Sequence, residues 1–174
     1  MSSQVRYRSG VVEYVALPTA DDGTVTKSIE VGDLVYVAGG VAYPASYLSD
    51  QGNEAANQAA FAVAFAGVAV KKTGLQSGEV TFKLDDDPGY TMVATSGEFE
   101  FPSAATSWVP GDLVGADENA GGDGLLDQQV AKVTLTGSSI GVAKVPYNAL
   151  GTSQTTILVD IRSQLMKQEV QSGA

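Results

Sequence analysis

Apolar and polar residues alternate along most of this chain. Val25, Ile29 and Val31 share one parity, with Thr24, Thr26, Ser28 and Glu30 on the other. Val80, Phe82 and Leu84 alternate with Glu79, Thr81 and Lys83. Phe99 and Phe101 alternate with Glu98 and Glu100, and Ala131, Val133 and Leu135 with Lys132, Thr134 and Thr136. Ile157, Val159 and Ile161 repeat the pattern near the C-terminus. A period of two sends one face of a strand into a core and the other into water, as in antiparallel sandwiches and barrels. Turn residues separate the runs. Asp22-Gly23 suits a hairpin turn, Asp87-Pro88-Gly89 precedes Tyr90–Val93, Ser96-Gly97 precedes Glu98–Phe101, and Gly121–Gly124 reads as a loop tip.

One stretch breaks the rhythm. From Asn53 to Phe65 the chain is rich in Ala, Gln and Glu, with Phe61 and Phe65 four apart. Alanine's helix preference and the i, i+4 aromatic pair predict a short helix capped by Ser49, Asp50 or Asn53. Gly67 is expected to end it and launch a Val68-Ala69-Val70 strand. The helix reads as a plug for the end of a barrel.

A short motif occurs twice. Gly32-Asp33-Leu34-Val35 is followed by Gly67-Val68-Ala69, and Gly111-Asp112-Leu113-Val114 by Gly141-Val142-Ala143, at spacings of 35 and 30 residues. Gly-Asp suits a tight turn, because Gly tolerates positive φ and Asp bonds nearby amides. Leu-Val then opens a strand. The ordered second match points to two related β units built by duplication.

Length and composition fit one domain with a sizeable core: 174 residues, 44% hydrophobic and 17% charged. No apolar run is long enough for a transmembrane helix, and Met1–Arg6 lacks the regions of a signal peptide. Cys and His are both absent. That excludes disulfides, thiolate catalysis, Ser-His-Asp triads and Cys/His zinc sites. The net charge of −10 arises in one segment, since Asp85–Asp127 holds ten carboxylates and no Lys or Arg. An acidic face of this kind repels phosphates, which argues against nucleic-acid binding, and it reads first as a solvated surface.

Candidate chemistry is sparse. The chain has neither a P-loop nor a dinucleotide-binding Gly-x-Gly-x-x-Gly. Asp117, Asn119, Gly122 and Asp123 imitate the start of an EF-hand loop, but Gly121 and Gln128 stand at ligand positions. A carboxylate-based hydrolase needs two acids facing across a pocket, and outward acids such as Glu98 and Glu100 lack the burial that would raise a pKa. Lys71 and Lys72 have no serine placed beside them. Trp108 and the seven tyrosines are scattered, and a lone Trp reads as packing a core edge or a subunit interface. Residues 1–9 carry Arg6 and Arg8 with no acid until Glu13, and the tail after Leu165 is polar. Such ends are mobile unless a partner holds them.

The order of these motifs resembles the capsid cement, or head-decoration, proteins of tailed bacteriophages. The resemblance rests on Gly32–Val35, the helix with Phe61 and Phe65 running into Gly67-Val68-Ala69, Thr95–Pro102, Gly111–Val114 and Ile140–Ala143. It covers roughly residues 25 to 162. It implies a mainly β fold, a small antiparallel β barrel or β-tulip of two related units, with one short helix near residues 53–65. It divides the chain into an N-terminal arm with the first strand or strands (1–24), a β-barrel decoration domain (25–162) and a C-terminal tail (163–174). It further implies a homotrimer without catalytic residues, cofactor or metal. Such a trimer, made in the host cytoplasm, sits on the outer capsid surface and binds the major capsid protein, with neither nucleic acid nor membrane as partner. The N-terminal arm, with Arg6, Tyr7 and Arg8, is the expected contact with the capsid or a neighbouring protomer, removable without loss of the fold. A glycan- or host-surface-binding virion module is the alternative.

Overall fold

The computed structural model describes residues 5–19, 28–71, 89–145 and 151–165. The runs at Thr24–Thr26 and Glu79–Leu84, the Asp22-Gly23 turn, Lys72, the Asp85–Asp87 triplet and the tail beyond Leu165 lie outside the described residues. The described chain is mainly β. Its strands are β1 (Arg6–Ser9), β2 (Tyr14–Pro18), β3 (Leu34–Ala38), β4 (Val41–Pro44), β5 (Phe65–Ala69), β6 (Tyr90–Ala94), β7 (Ser96–Ser107), β8 (Leu113–Glu118), β9 (Leu125–Val133), β10 (Gly141–Lys144) and β11 (Ser153–Arg162). Helix α1 (Glu54–Ala64) and two 3-10 turns, Ala45–Tyr47 and Thr136–Ser138, complete it.

The strands form two units with one topology. In the first the order is β2-β6-β5-β3-β4, and in the second β7-β11-β10-β8-β9. A parallel bridge, Ser103↔Val130, joins β7 to β9 and closes the second unit into a five-stranded barrel. The first unit curls to the same point, where Thr19 bridges Ala42 in parallel. Among the described residues, strand β1 has no counterpart in the first unit; it is added to β7 with Arg6 opposite Glu100 and Tyr7 opposite Phe99.

The repeated motif explains the equivalence. In the first copy the Gly32 amide donates to the Ala69 carbonyl at 2.8 Å, and the Ala69 amide to the Asp33 carbonyl at 2.8 Å. In the second, Gly111 donates to Ala143 at 2.9 Å and Ala143 to Asp112 at 2.8 Å. Each Asp carboxylate closes its own turn, accepting the Glu30 amide at 2.7 Å or the Val109 amide at 2.8 Å. Gly32 and Gly111 hold φ of 96° and 90°, a region that L side chains rarely adopt. The duplication expected from sequence is therefore a structural one, down to individual hydrogen bonds.

The same overlay pairs the interiors. Ile29, Val35, Ala42, Ala66, Ala69 and Val93 form one buried cluster, flanked by Val15 and Leu17. Their counterparts are Trp108, Val114, Val130, Ile140, Ala143 and Val159, with Phe99 and Phe101, all buried. At five of these eight positions the second unit carries the larger side chain. Outside its own interior, the first unit buries Leu34, Tyr36, Val68 and Ala94 in the larger cluster, with Phe61, Phe65 and the second unit's core. Strand β5 and the Leu34–Tyr36 part of β3 are thus buried on both faces.

Several expectations change. Ile29 is buried, but residues 28–33 are not a strand, the chain turns at Val31-Gly32, and Val31 is exposed. Leu135 lies beyond β9 and is exposed, while Val133 is buried. The helix forms as expected, with the Asn53 side chain accepting the Ala56 amide at 3.0 Å. Its end differs: α1 passes straight into β5 at Phe65, and Gly67 lies inside that strand. A Cβ at Gly67 would collide with the Ala94 carbonyl oxygen and lie 2.8 Å from Val93 Cγ1. Glycine stands there for closeness of approach rather than to stop a helix. Nor does α1 plug a barrel end; it lies against β3, β8 and the Thr136–Ser138 turn, between the units. Its Gln58 Nε2 donates to the Ala116 carbonyl at 2.9 Å.

Candidate functional site

Alternation on β7 and β11 sends Phe99, Phe101, Ile157, Val159 and Ile161 inward, which turns Glu98, Glu100, Leu158 and Asp160 outward. Strand β10 adds Val142 and Lys144, and β1 adds Arg8. Of these, Arg8, Glu100, Val142, Lys144 and Leu158 border an open groove of about 690 Å³ on the outer face of the second unit. Val142, Leu158 and Pro110 give it apolar walls; Arg8, Glu100 and Lys144 give it charge.

The charges form a ladder. Arg8 meets Glu100 at 2.8 Å, Lys144 meets Glu98 at 2.6 Å and Asp160 at 3.9 Å, and Arg162 meets Asp160 at 3.6 Å. Ser9 Oγ also donates to Glu98. The Lys144 and Ser9 hydrogen bonds hold the Glu98 carboxyl below its ordinary range, against a small effect of burial. The bond to Glu98 likewise pushes the Lys144 ammonium up. Each pair is solvated, so the ladder contributes little to stability.

Of the three contact residues expected from sequence, only Arg8 borders the groove. Tyr7 packs edge-on against Phe99, with ring centroids 5.7 Å apart, and donates its hydroxyl to the Gly10 carbonyl at 2.8 Å. Arg6 sits beside Glu100 in register, but Arg8 makes the ion pair. Residues 5–9 are therefore not a free arm. They belong to the sheet, with Val5 buried in the larger core. Deleting residues 1–9 would remove an edge strand and uncover Phe99. Lys144, Asp160 and Arg162 escaped sequence reading although alternation carried the signal, since they fall on the outward parity beside Ala143, Val159 and Ile161.

The acidic segment does not make one face. Glu98 and Glu100 meet cations from outside it, and Asp112 meets Lys132 at 2.6 Å. Asp117 accepts Gln129 Nε2 at 2.6 Å, and Glu118 accepts Asn57 Nδ2 at 3.0 Å. In the EF-hand-like stretch, Asn119 Oδ1 accepts the Gly121 amide and its Nδ2 donates to Asp123, which ties the β8–β9 turn to itself. Burial, then the nearby Asp117 and Glu118, push the Glu54 carboxyl up.

The aromatic residues also regroup. Trp108 is fully buried, with Nε1 3.4 Å from Ser103 Oγ. Tyr43 and Tyr47 stack at 4.9 Å and Tyr36 and Tyr43 at 5.6 Å, so three of the tyrosines are not scattered. Burial, and then these neighbours, push the Tyr36 hydroxyl up to about 12.

A second cluster lies where the units meet. Asp33 is buried, and its Oδ1 accepts Gln128 Nε2 from β9 at 2.8 Å. Next to Gln128, Asp127 accepts the Ser46 amide at 2.7 Å and the Ser46 hydroxyl at 2.8 Å. Burial first, then the charge of Asp127, push the Asp33 carboxyl up to about 6, against bonds from the Glu30 amide and Gln128. Asp127 is pushed up by burial, against its two bonds from Ser46.

Fold and surface define a mainly β protein, a closed five-stranded barrel with a second sheet of the same strand order, that carries a charged outer groove. No family model matches the chain, nor does any curated protein or solved structure.

Proposed function

We propose that this is a structural virion protein, a cement or decoration protein that binds the outside of an expanded phage capsid, holds neighbouring major capsid subunits together, and acts as a homotrimer without catalysis or cofactor. The observation that carries this reading is the fate of the repeated motif. Its two aspartates, the chain's most distinctive carboxylates, each close a turn and fix a strand pairing in both copies. The signature of the sequence is architectural. The motif order that resembles the cement proteins supports the reading, and the open groove beside β1 offers a contact surface of the required kind.

The mechanism is linkage. A protein that binds only the assembled, expanded lattice stabilises that lattice by the free energy of its binding. A trimer touching several capsid subunits gains from effective concentration, so weak contacts become lasting ones. The test is co-sedimentation with expanded, undecorated heads of the source phage, with unexpanded heads as control. Saturable binding to expanded heads alone, with a raised head-melting temperature, is the expected result; binding to neither form overturns the proposal. The Tyr43–Tyr47 stack, with Tyr47 39% exposed, favours a second reading as a glycan-binding surface module. Retention on a glycan array that is lost in Tyr47→Ala would establish it.

A further inference from the structure

Strand β2 is the counterpart of β7. Val15 pairs with Val93 and Pro18 with Tyr90, as Phe99 pairs with Val159 and Pro102 with Thr156. In the second unit β1 lies along the edge of β7, with Tyr7 opposite Phe99 and Ser9 opposite Glu98. Among the described residues, no strand lies along the matching Tyr14–Leu17 edge of β2. The Thr19 amide donates to the Gly89 carbonyl at 3.0 Å and the Thr95 amide to the Glu13 carbonyl at 2.8 Å. Antiparallel alternation between these bonds turns the backbone groups of Val15 and Leu17 toward β6 and those of Tyr14 and Ala16 outward. The interior is open to match. Val15 and Leu17 are half-buried, whereas Phe99 and Phe101 in the same places are buried, with Tyr7 packed on Phe99. The outer face beside this edge carries none of the second unit's charges. Glu98, Glu100, Lys144 and Asp160 correspond in register to Tyr14, Ala16, Val70 and Ala94. Ala94 is buried in the larger core, where the units meet. Past that interface the same face continues as Tyr14, Ala16, Met92 and Tyr90, with Tyr14 57% and Tyr90 50% exposed.

We propose that the Tyr14–Leu17 edge of β2, with the apolar face beside it, receives an extended, uncharged strand of another protein, paired antiparallel as β1 pairs with β7. The inference deepens the proposed function and rests on it for the kind of partner, a protein subunit that presents an extended segment. Two observations choose the occupant. The chain itself supplies the template for the pairing, since β1 meets the equivalent edge of β7 in a fixed register. The exposed face is also continuous with the apolar interface between the units, so an apolar segment extends a contact already made. The residue of that segment opposite Ala16 carries a large apolar side chain, in the place where Arg6 stands opposite Glu100. Ala16 is small enough to leave it room and offers no carboxylate to hold a cation. The next residue, in the place of Tyr7, covers Val15. Tyr14 and Ala16 supply two amides and two carbonyls, and Pro18, which has no amide, ends the ladder. Main-chain bonds then give affinity, and the side chain over Ala16 gives selectivity.

The test needs no capsid. The full chain, isotopically labelled, is titrated to about 5 mM with an acetylated and amidated peptide of alternating Val and Thr. A second peptide of the same composition is N-methylated at every residue. With the first peptide, amide shifts should be confined to β2 and β6, and the Tyr14 and Ala16 amides should become roughly tenfold better protected from exchange. The N-methylated peptide should give neither effect. Ala16→Glu with Val70→Lys sets the second unit's charges on the first and should weaken peptide binding roughly tenfold. Ala16→Glu alone decides should the double variant fail to fold. Four results overturn the proposal: shifts that leave β2 and β6 untouched, equal binding of the N-methylated peptide, full binding by Ala16→Glu, or free-chain protection of the Tyr14 and Ala16 amides equal to that of Glu98 and Glu100. The last would mean that the chain fills this edge itself. Binding to expanded heads without binding to the peptide refutes this inference alone. Binding to the peptide without binding to heads refutes the cement reading alone.

Discussion

The first unit and the second share a topology, a repeated turn and eight matched interior positions, yet they stabilise themselves differently. The second fills its barrel with Trp108, Phe99 and Phe101, where the first has Ile29, Val15 and Leu17. The first gains its remaining burial from outside, through α1 and the second unit, which cover Leu34, Tyr36, Val68 and Ala94. One unit is a filled barrel; the other is half barrel and half interface. Their aspartates follow suit. Burial raises the Asp112 carboxyl, but the Lys132 bond and charge and the Val109 amide outweigh it and bring the group below its ordinary range. The contribution of Asp112 is therefore present at neutral pH and lost as pH falls. After duplication, the local turn was kept while its electrostatic setting diverged.

The sharpest way to break the equivalence is at its shared close contact. Gly67→Ala and Gly141→Ala each drive a Cβ into a backbone carbonyl oxygen, that of Ala94 or Asp160. Both should cost more than about 4 kcal/mol or abolish folding. Gly67→Ala should be the worse, because φ of 144° adds backbone strain. Urea unfolding ranks the two, and the reverse order would show that the units are not equivalent there. Next come the matched core residues. Trp108→Ala should cost roughly 3–5 kcal/mol and Ile29→Ala roughly 2–4, since both side chains are fully buried. Equal costs in chemical denaturation would mean that the larger core contributes nothing extra. Smallest is the ion pair that separates the two aspartates. Lys132→Met should cost about 0.5–1 kcal/mol at low salt and less at high salt, because Lys132 is 41% exposed. A salt-independent loss would point to packing by the lysine stem instead.

What could be read from the sequence was whatever is encoded locally. The Gly-Asp turns needed only a positive φ and a carboxylate one residue on, and the Asn53 cap only a side chain three residues before an amide. The inward and outward sides of β7 and β11 followed from alternation because each has one solvated face. Alternation failed where neither face meets water, as at Leu34-Val35-Tyr36, and where a buried residue sits in a turn, as at Ile29. The candidate site was less legible. Arg6, Tyr7 and Arg8 read as a loose arm because nothing near them gave a sign that Glu100 of β7 would pair with Arg8 and Phe99 would pack on Tyr7. The Asp33–Gln128 contact joins residues 95 positions apart, and nothing near either one announces it.

Strands β6 and β7 are separated by Thr95 alone, whose amide donates to Glu13 at 2.8 Å while its carbonyl accepts Ser163 at 3.1 Å. Across the other side, β2 pairs with β6 and β1 with β7, so a two-ply ribbon, interrupted only at residues 10–13 and Thr95, links the two units. In mechanical terms the molecule has a tie-beam rather than a hinge. A pull along that ribbon meets its cross-strand bonds in shear, where they share the load, instead of opening them one after another.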